Sequence, residues 1–324
     1  MPQILPLDPA TYQRHLIHGE NRTWAETNCY SDVIIELLHG LGFEPLAALP
    51  FTLTIDFDVD QWTFFKFPPE DIAALYALGI FELAPWRPLA EHISEQIAAG
   101  RPILVELDSF FLPDTAGTAY QMAHVKSTVA VNAIDIEQRQ LGYFHNQSYH
   151  VLEGQDFSDI FQTTGLVHPR MLPPYIEFIK PLPRAWPLRG PDLLEGSLGL
   201  LKKHLRRIPT HNPFLSFKEQ FQKDQGWLLG SEIDVFHAYS FATLRQYGAC
   251  FELAASYLHW LSTQGIEKLK QPGQEFNQIS QSTKAFQLKL ARAMMRKRPM
   301  ELSALDEMAR HWEQGMDALL QQSG

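Results

Sequence analysis

Only two cysteines, Cys29 and Cys250, occur in the 324 residues. A disulfide framework is therefore not in prospect, and a reducing, cytoplasmic setting is expected. No apolar run approaches the roughly 18 residues a membrane span needs. The opening MPQILPLDPATYQRH lacks a basic stretch leading into an apolar core, so no secretory signal is expected. Basic residues are outnumbered 27 to 37, and the net charge of −10 argues against a nucleic-acid surface. The histidines form no HExxH and the cysteines no Cys-x-x-Cys, so no metal site is expected. Fixed-period repeats and low-complexity tracts are missing as well. What is present, 45% apolar and 20% charged residues, suits a folded chain of one large or two medium domains.

The first half alternates strand and helix patterns. TLTIDFD (52–58) and QWTFF (61–65) read as strands, and PEDIAALYALG and RPLAEHISEQIAAG read as helices. ILVELD (103–108), STVAVNAID (127–135) and LGYFHN read as strands, the last two forming a hairpin, and FSDIFQTTG closes with a short helix. Seven prolines crowd residues 168–191 around YIEFI, itself a candidate strand. Beyond them the pattern is helical to the end, with Gly265, Pro272 and Gly273 breaking the longest pair of helices and Pro299 opening the last. The expected layout is an α+β domain (1–167), a proline-rich linker (168–191) and a helical bundle (192–324).

Cys29 stands out. Tyr30, Val33, Ile34, Leu37, Leu38 and Leu41 recur at helical spacing, and Asn28 is a good N-cap, so Cys29 falls in the first turn of a buried helix. There a sulfur faces unpaired N–H groups and the positive end of the helix dipole, the setting that favours a thiolate nucleophile. The plain alternative is a small buried hydrophobe. Acyl transfer from a thiol needs a base and a group that orients it. His124, at the mouth of a strand, is the expected base, and Asn146 or Asp135 on the hairpin the expected orienter. Strand alternation puts Phe144 and Asn146 on one face and Tyr143 and His145 on the other, which favours Asn146 and makes His145 the second choice; His150 also competes. The Cys29 N–H, with Asn28, Thr27 or Trp24, would serve the oxyanion.

Other residues invite weighing. Asp56, Asp58 and Asp60 alternate along DFDVDQW, with Gln61 and Trp62 following. They would bind a cation or an amine, or form a polar outer face with Trp62 in the core. Asp108 and Asp114 bracket FFLP, where acidic groups suit a cationic substrate. The basic clusters Lys202, Lys203, Arg206, Arg207 and Arg292, Arg296, Lys297, Arg298 suit an acidic partner or simply solvated helix ends. Arg245, in an apolar helix, needs an anion or an interdomain salt bridge.

The text ELDSFFLPDTAGTAYQMAHVKSTVAVNAID, preceded by NCYSDVIIELLHGLGFEP, resembles the papain-like N-terminal domain of the butirosin-biosynthesis H acyltransferases. FATLRQYGACFELAASYLHWL resembles the helical segment that follows that domain. More similar still is an uncharacterised bacterial domain family with the signatures DFDVDQWTFFK (56–66), LPDTAGTAY (112–120) and YFHN (143–146). The resemblance implies an α+β papain-like fold with a mixed or antiparallel sheet, followed by an α-helical bundle. It implies acyl or aminoacyl transfer from a carrier-protein thioester, with phosphopantetheine as donor arm and no other cofactor, to a small-molecule amine or hydroxyl. Cys29, His124 and Asn146 or Asp135 would be catalytic. Substrate would meet Asn28, Trp24, Asp58, Gln61, Trp62, Asp108, Asp114, Tyr120, Lys126 and Arg245. A homodimer is compatible with this reading. Ser127 departs from the acyltransferase pattern, which has a second histidine there. Two alternatives use the same residues: a peptidase or amidase, and a non-catalytic protein that grips an acylated carrier, which Ser127 favours.

Overall fold

The computed structural model describes residues 2–25, 27–163 and 174–321. Helix α1 (Cys29–Gly40) opens at Asn28, whose side chain accepts the Ser31 N–H at 3.0 Å. A 3-10 turn (Pro50–Thr54) and a two-residue hairpin, β1 (Phe57–Asp58) and β2 (Gln61–Trp62), stand where longer strands over 52–58 and 61–65 were expected. The local reason is that Pro50 opens the turn, while the Thr52 and Thr54 hydroxyls bond back to the Leu49 and Phe51 carbonyls. There follow α2 (Pro69–Tyr76), β3 (Leu78–Glu82), α3 (Leu89–Ala98), β4 (Ile103–Asp108), β5 (Lys126–Asp135), β6 (Gln140–His145), β7 (Ser148–Glu153), α4 (Gln155–Ile160) and β8 (Ile176–Pro181). The rest is helical: α5 (Gly190–Leu205), α6 (Pro213–Gly230), α7 (Ile233–Ser240), α8 (Gln246–Thr263), α9 (Lys270–Arg296) and α10 (Ser303–Gln321). Phe241–Arg245 continues α7 into α8 as a π-turn. Pro272 and Gly273 lie inside the first turn of α9 instead of breaking it, because a proline there gives up an N–H that has no partner anyway.

The chain divides into two compact units, one of residues 1–20, 28–45 and 69–187, the other of 21–27, 46–68 and 188–324. The architecture is α+β, with antiparallel sheets and a helical C-terminal region. Among the described residues, no helix is long and apolar enough to cross a membrane.

In the first unit a six-stranded antiparallel sheet has the order β3-β8-β4-β5-β6-β7. β8 lies within the proline-rich stretch expected to be a linker, and it pairs with both β3 and β4. Residues 168–173 of that stretch lie outside the described residues. Strand alternation gives the sheet two faces. Val105, Leu107, Val129, Val131, Leu141 and Tyr143 point into a core shared with Ile93 and Ile97 of α3 and Phe157 of α4. Helix α1 packs on β5 and β6 from the opposite side, where Gly40 leaves room for the Phe144 ring. Each Val, Ile or Leu fully buried in this way contributes roughly 1.5–3 kcal/mol.

The second unit is built around aromatic packing. Trp62 lies 4.6 Å from Tyr247 and 5.1 Å from Phe214, ring centre to ring centre. Trp24 fills the notch that Gly248 leaves on α8, and its indole N–H donates to Ser280 Oγ at 2.9 Å.

Candidate active site

The loop after β4 and the two hairpin strands β5 and β6 build one buried polar cluster. In LPDTAGT, Leu112 anchors in the core and Pro113 opens a single 3-10 turn. Thr115 Oγ1 ties the turn back to the Ser109 and Leu112 carbonyls, at 3.0 and 2.9 Å. Gly117 supplies a φ of +85° that other residues rarely adopt. The turn aims the Asp114 carboxylate at YFHN. Asp114 Oδ1 accepts from the Tyr143 hydroxyl at 2.5 Å, and Oδ2 meets His145 Nδ1 at 2.5 Å. His145 Nε2 then meets Ser127 Oγ at 2.6 Å.

The order is therefore carboxylate, imidazole, hydroxyl, with one ring nitrogen on each neighbour. His145 is 1% and Ser127 8% exposed, so bulk water competes little for these bonds. Burial alone would raise the Asp114 pKa. The hydrogen bond and charge of His145, the charge of His150 and the Tyr143 hydroxyl outweigh burial and hold the carboxyl below its ordinary value. The same carboxylate, after burial, pushes the Tyr143 phenol up.

Cys29 is the first residue of α1 and half-buried. Its Sγ accepts the backbone N–H of Thr128 at 3.3 Å, the residue after Ser127. Thiol and relay thus meet β5 at adjacent residues, the thiol from the α1 side and the relay on the opposite face. Among the described residues Cys29 makes no hydrogen bond to an imidazole.

The expected partners lie elsewhere. His124 is in an exposed loop, stacked on Phe110 at 4.4 Å, with Nδ1 on Asp108 Oδ2 at 2.6 Å. Asn146 occupies the β6–β7 turn with φ +50°, a conformation asparagine tolerates, and so serves the hairpin. Asp135 ends β5 and accepts the Gln138 N–H at 2.9 Å. Eight residues of extended strand place it about 25 Å from Ser127. Among the described residues, no hydrogen bond joins His124, Asn146 or Asp135 to Cys29.

The expected substrate contacts also scatter. The Asn28 side-chain oxygen Oδ1 accepts the Ser31 N–H as the α1 cap. Trp24 and Trp62 are buried in the second unit. Asp58 and Gln61 are exposed partners in the β1–β2 hairpin, with Val59 turning at φ +58°. Asp108 caps the short turn after β4 and holds His124. The Tyr120 hydroxyl donates to Asp156 at 2.9 Å. Lys126 pairs with Glu106 at 2.7 Å. Arg245 donates to the Ala25 carbonyl at 3.3 Å and lies over the Phe241 ring. Asp114 alone of these belongs to the relay. Ser127 and Tyr143 are not among the expected site residues. The available signal was the alternation that puts Tyr143 and His145 on one face.

A cleft of about 1070 Å³ opens in the first unit. Leu107, the register partner of Ser127 on β4, lines it with Phe111, Ile160 and Phe161; Asp108, His124 and Lys126 supply its polar side.

Residues 13–181 match the DUF1839 N-terminal domain and residues 191–321 the DUF1839 C-terminal domain. The chain belongs to the DUF1839 family. No curated protein matches it. In this DUF1839 protein the segments LPDTAGT and YFHN are two halves of one hydrogen-bonded cluster, to which Ser127 of β5 is joined through His145.

Proposed function

We propose that this protein is an acyltransferase that works through an acyl-enzyme on Ser127. The observation that carries the reading is the His145 ring, bonded through Nε2 to Ser127 Oγ at 2.6 Å and through Nδ1 to Asp114 at 2.5 Å. Neutral imidazole with its proton on Nδ1 leaves Nε2 as the base, and the carboxylate stabilises the imidazolium that forms. Ser127 Oγ attacks the carbonyl of a thioester and passes its proton to Nε2. As the C–S bond breaks, His145 returns that proton to the leaving sulfur. An amine or hydroxyl then attacks the ester carbonyl, gives its proton to Nε2, and Ser127 leaves with that proton. Thr128 N–H, next to the nucleophile, is the natural oxyanion donor, and in the free protein Cys29 Sγ accepts it. The cleft beside Leu107 offers room for the acyl group.

The donor proposed is an acyl or aminoacyl carrier-protein thioester, on the resemblance to the butirosin-type acyltransferases. A cysteine-opened helix packed on an antiparallel sheet supports a papain-like reading of the first unit. One observation favours a second nucleophile: Cys29 opens α1 and touches the residue after Ser127. The test is intact-mass analysis of the protein, Ser127→Ala and Cys29→Ala after incubation with acyl-carrier thioesters. The expected adduct survives Cys29→Ala and neutral hydroxylamine and is lost in Ser127→Ala. The opposite pattern moves the chemistry to Cys29, and no adduct with any donor overturns the proposal.

A further inference from the structure

The second unit holds a separate pocket of about 300 Å³, built from the segment after the β1–β2 hairpin, the 3-10 turn Pro50–Thr54 and the end of α5. Phe51, Ile55 and Phe65, each at most 5% exposed, form its apolar side, and Phe64 stands exposed beside them. The polar residues of its lining are Lys66, His204 and Arg207, with Thr54 and Thr63. No carboxylate is among the described residues that line it. That is unusual in a protein of net charge −10, where acidic side chains outnumber basic ones.

Basic residues at the end of a helix are ordinarily solvated and explained by the helix dipole. Lys202 and Lys203 fit that account. His204 does not: it is 1% exposed and lines a cavity. Arg207 sits one turn further on, where its backbone N–H closes on the His204 carbonyl at 2.8 Å. That bond occupies one of the helix-end carbonyls that would otherwise repel negative charge.

We propose that this pocket binds a small organic anion, its carboxylate or phosphate head held by Lys66 and Arg207 and its apolar body against Phe51, Ile55 and Phe65. The signature DFDVDQWTFFK is then split in role. Asp58 and Asp60 are exposed around a turn, Asp56 is half-buried beside His211, Trp62 is core, and the last four residues of the signature line the anion pocket. The volume falls at the small end of ligand pockets.

The test is calorimetric titration of the full-length protein with phenyl phosphate, benzoate, inorganic phosphate and benzyl alcohol. Phenyl phosphate or benzoate is expected to bind, and the tighter of the two identifies the head group. Benzyl alcohol should bind at least tenfold more weakly, and inorganic phosphate more weakly than phenyl phosphate. Arg207→Glu is expected to weaken the preferred anion at least tenfold; if its circular dichroism departs from the parent, Arg207→Gln is read instead. Binding should survive Ser127→Ala, which separates this pocket from the proposed active site. No binding by either aromatic anion, equal binding of benzyl alcohol, or unchanged affinity in the Arg207 variants overturns the proposal.

Discussion

Replacing Asp114 by alanine should destabilise the first unit by about 2–6 kcal/mol at neutral pH. The carboxylate is the acceptor for two buried donors, the Tyr143 hydroxyl and His145 Nδ1–H, both at 2.5 Å. Each donor left without a partner costs about 1–3 kcal/mol. Asp114→Asn should cost less, because the amide oxygen still accepts from Tyr143. Its NH2 then faces Nδ1 and forces the ring into the tautomer with the proton on Nε2, so the fold persists and the base is lost. The pH dependence has a definite sign. Asp114 is held below its ordinary pKa in the folded protein despite burial, by His145 first, then His150 and Tyr143. Its contribution to stability is therefore present above the unfolded value of about 3.9 and is lost as pH falls through the lower folded value. Urea denaturation at pH 7 and near pH 3, with hydrogen exchange identifying the transition that carries β5 and β6, measures this. A difference under about 0.5 kcal/mol between Asp114→Ala and the parent at pH 7, small beside the expected loss per stranded donor, would refute the reasoning.

Three further outcomes follow from packing and burial. His18→Ala should destabilise the protein, read as a fall in urea midpoint. His18, itself fully buried, bridges Asp32 at 3.1 Å and Glu36, both fully buried, and removing it takes a hydrogen-bond partner from each of two buried carboxylates, at about 1–3 kcal/mol apiece. Gly248→Ala, which in an open helix would gain up to ~1 kcal/mol, should instead lose about 1–3 kcal/mol, because the new Cβ would fall 2.6 Å from the Trp24 ring; calorimetric melting gives the sign. An aromatic disulfide reagent should titrate one thiol, Cys29, in the native protein and two in urea. Cys250 is fully buried, and burial alone pushes its pKa up.

Much of the fold could be read from periodicity. α1 with its Asn28 cap, β4, β5 and β6 lie where the apolar spacing puts them, because each is long enough for its period to show. β3 has no counterpart among the expected elements, and the expected helix over 69–79 runs into its first two residues, since LGIFE is too short and too apolar to declare its period. β7 was missed because SYHVLE carries a polar outer face on a short edge strand. The alternation in TLTIDFD misled, as threonine hydroxyls bonded to nearby carbonyls make a turn of residues that also suit a strand.

The site was half legible. Alternation puts Tyr143 and His145 on one face, and both reach Asp114, but the face carrying the acid could not be known without the fold. Asp114 reaches His145 across 31 positions of sequence through a loop whose path depends on Leu112 finding the core. Ser127 registered only as the place of a missing histidine. A hydroxyl has no sequence context that marks it; its bond to His145 on the neighbouring strand shows only in the fold.

Active-site labelling with a fluorophosphonate, followed by peptide mapping, tests the relay most directly. The reagent reacts with a serine only where a base withdraws its proton. Phosphonylation is expected at Ser127, abolished by His145→Gln and strongly reduced by Asp114→Asn. An unlabelled Ser127 in folded protein, or equal labelling in the His145 variant, would contradict the relay.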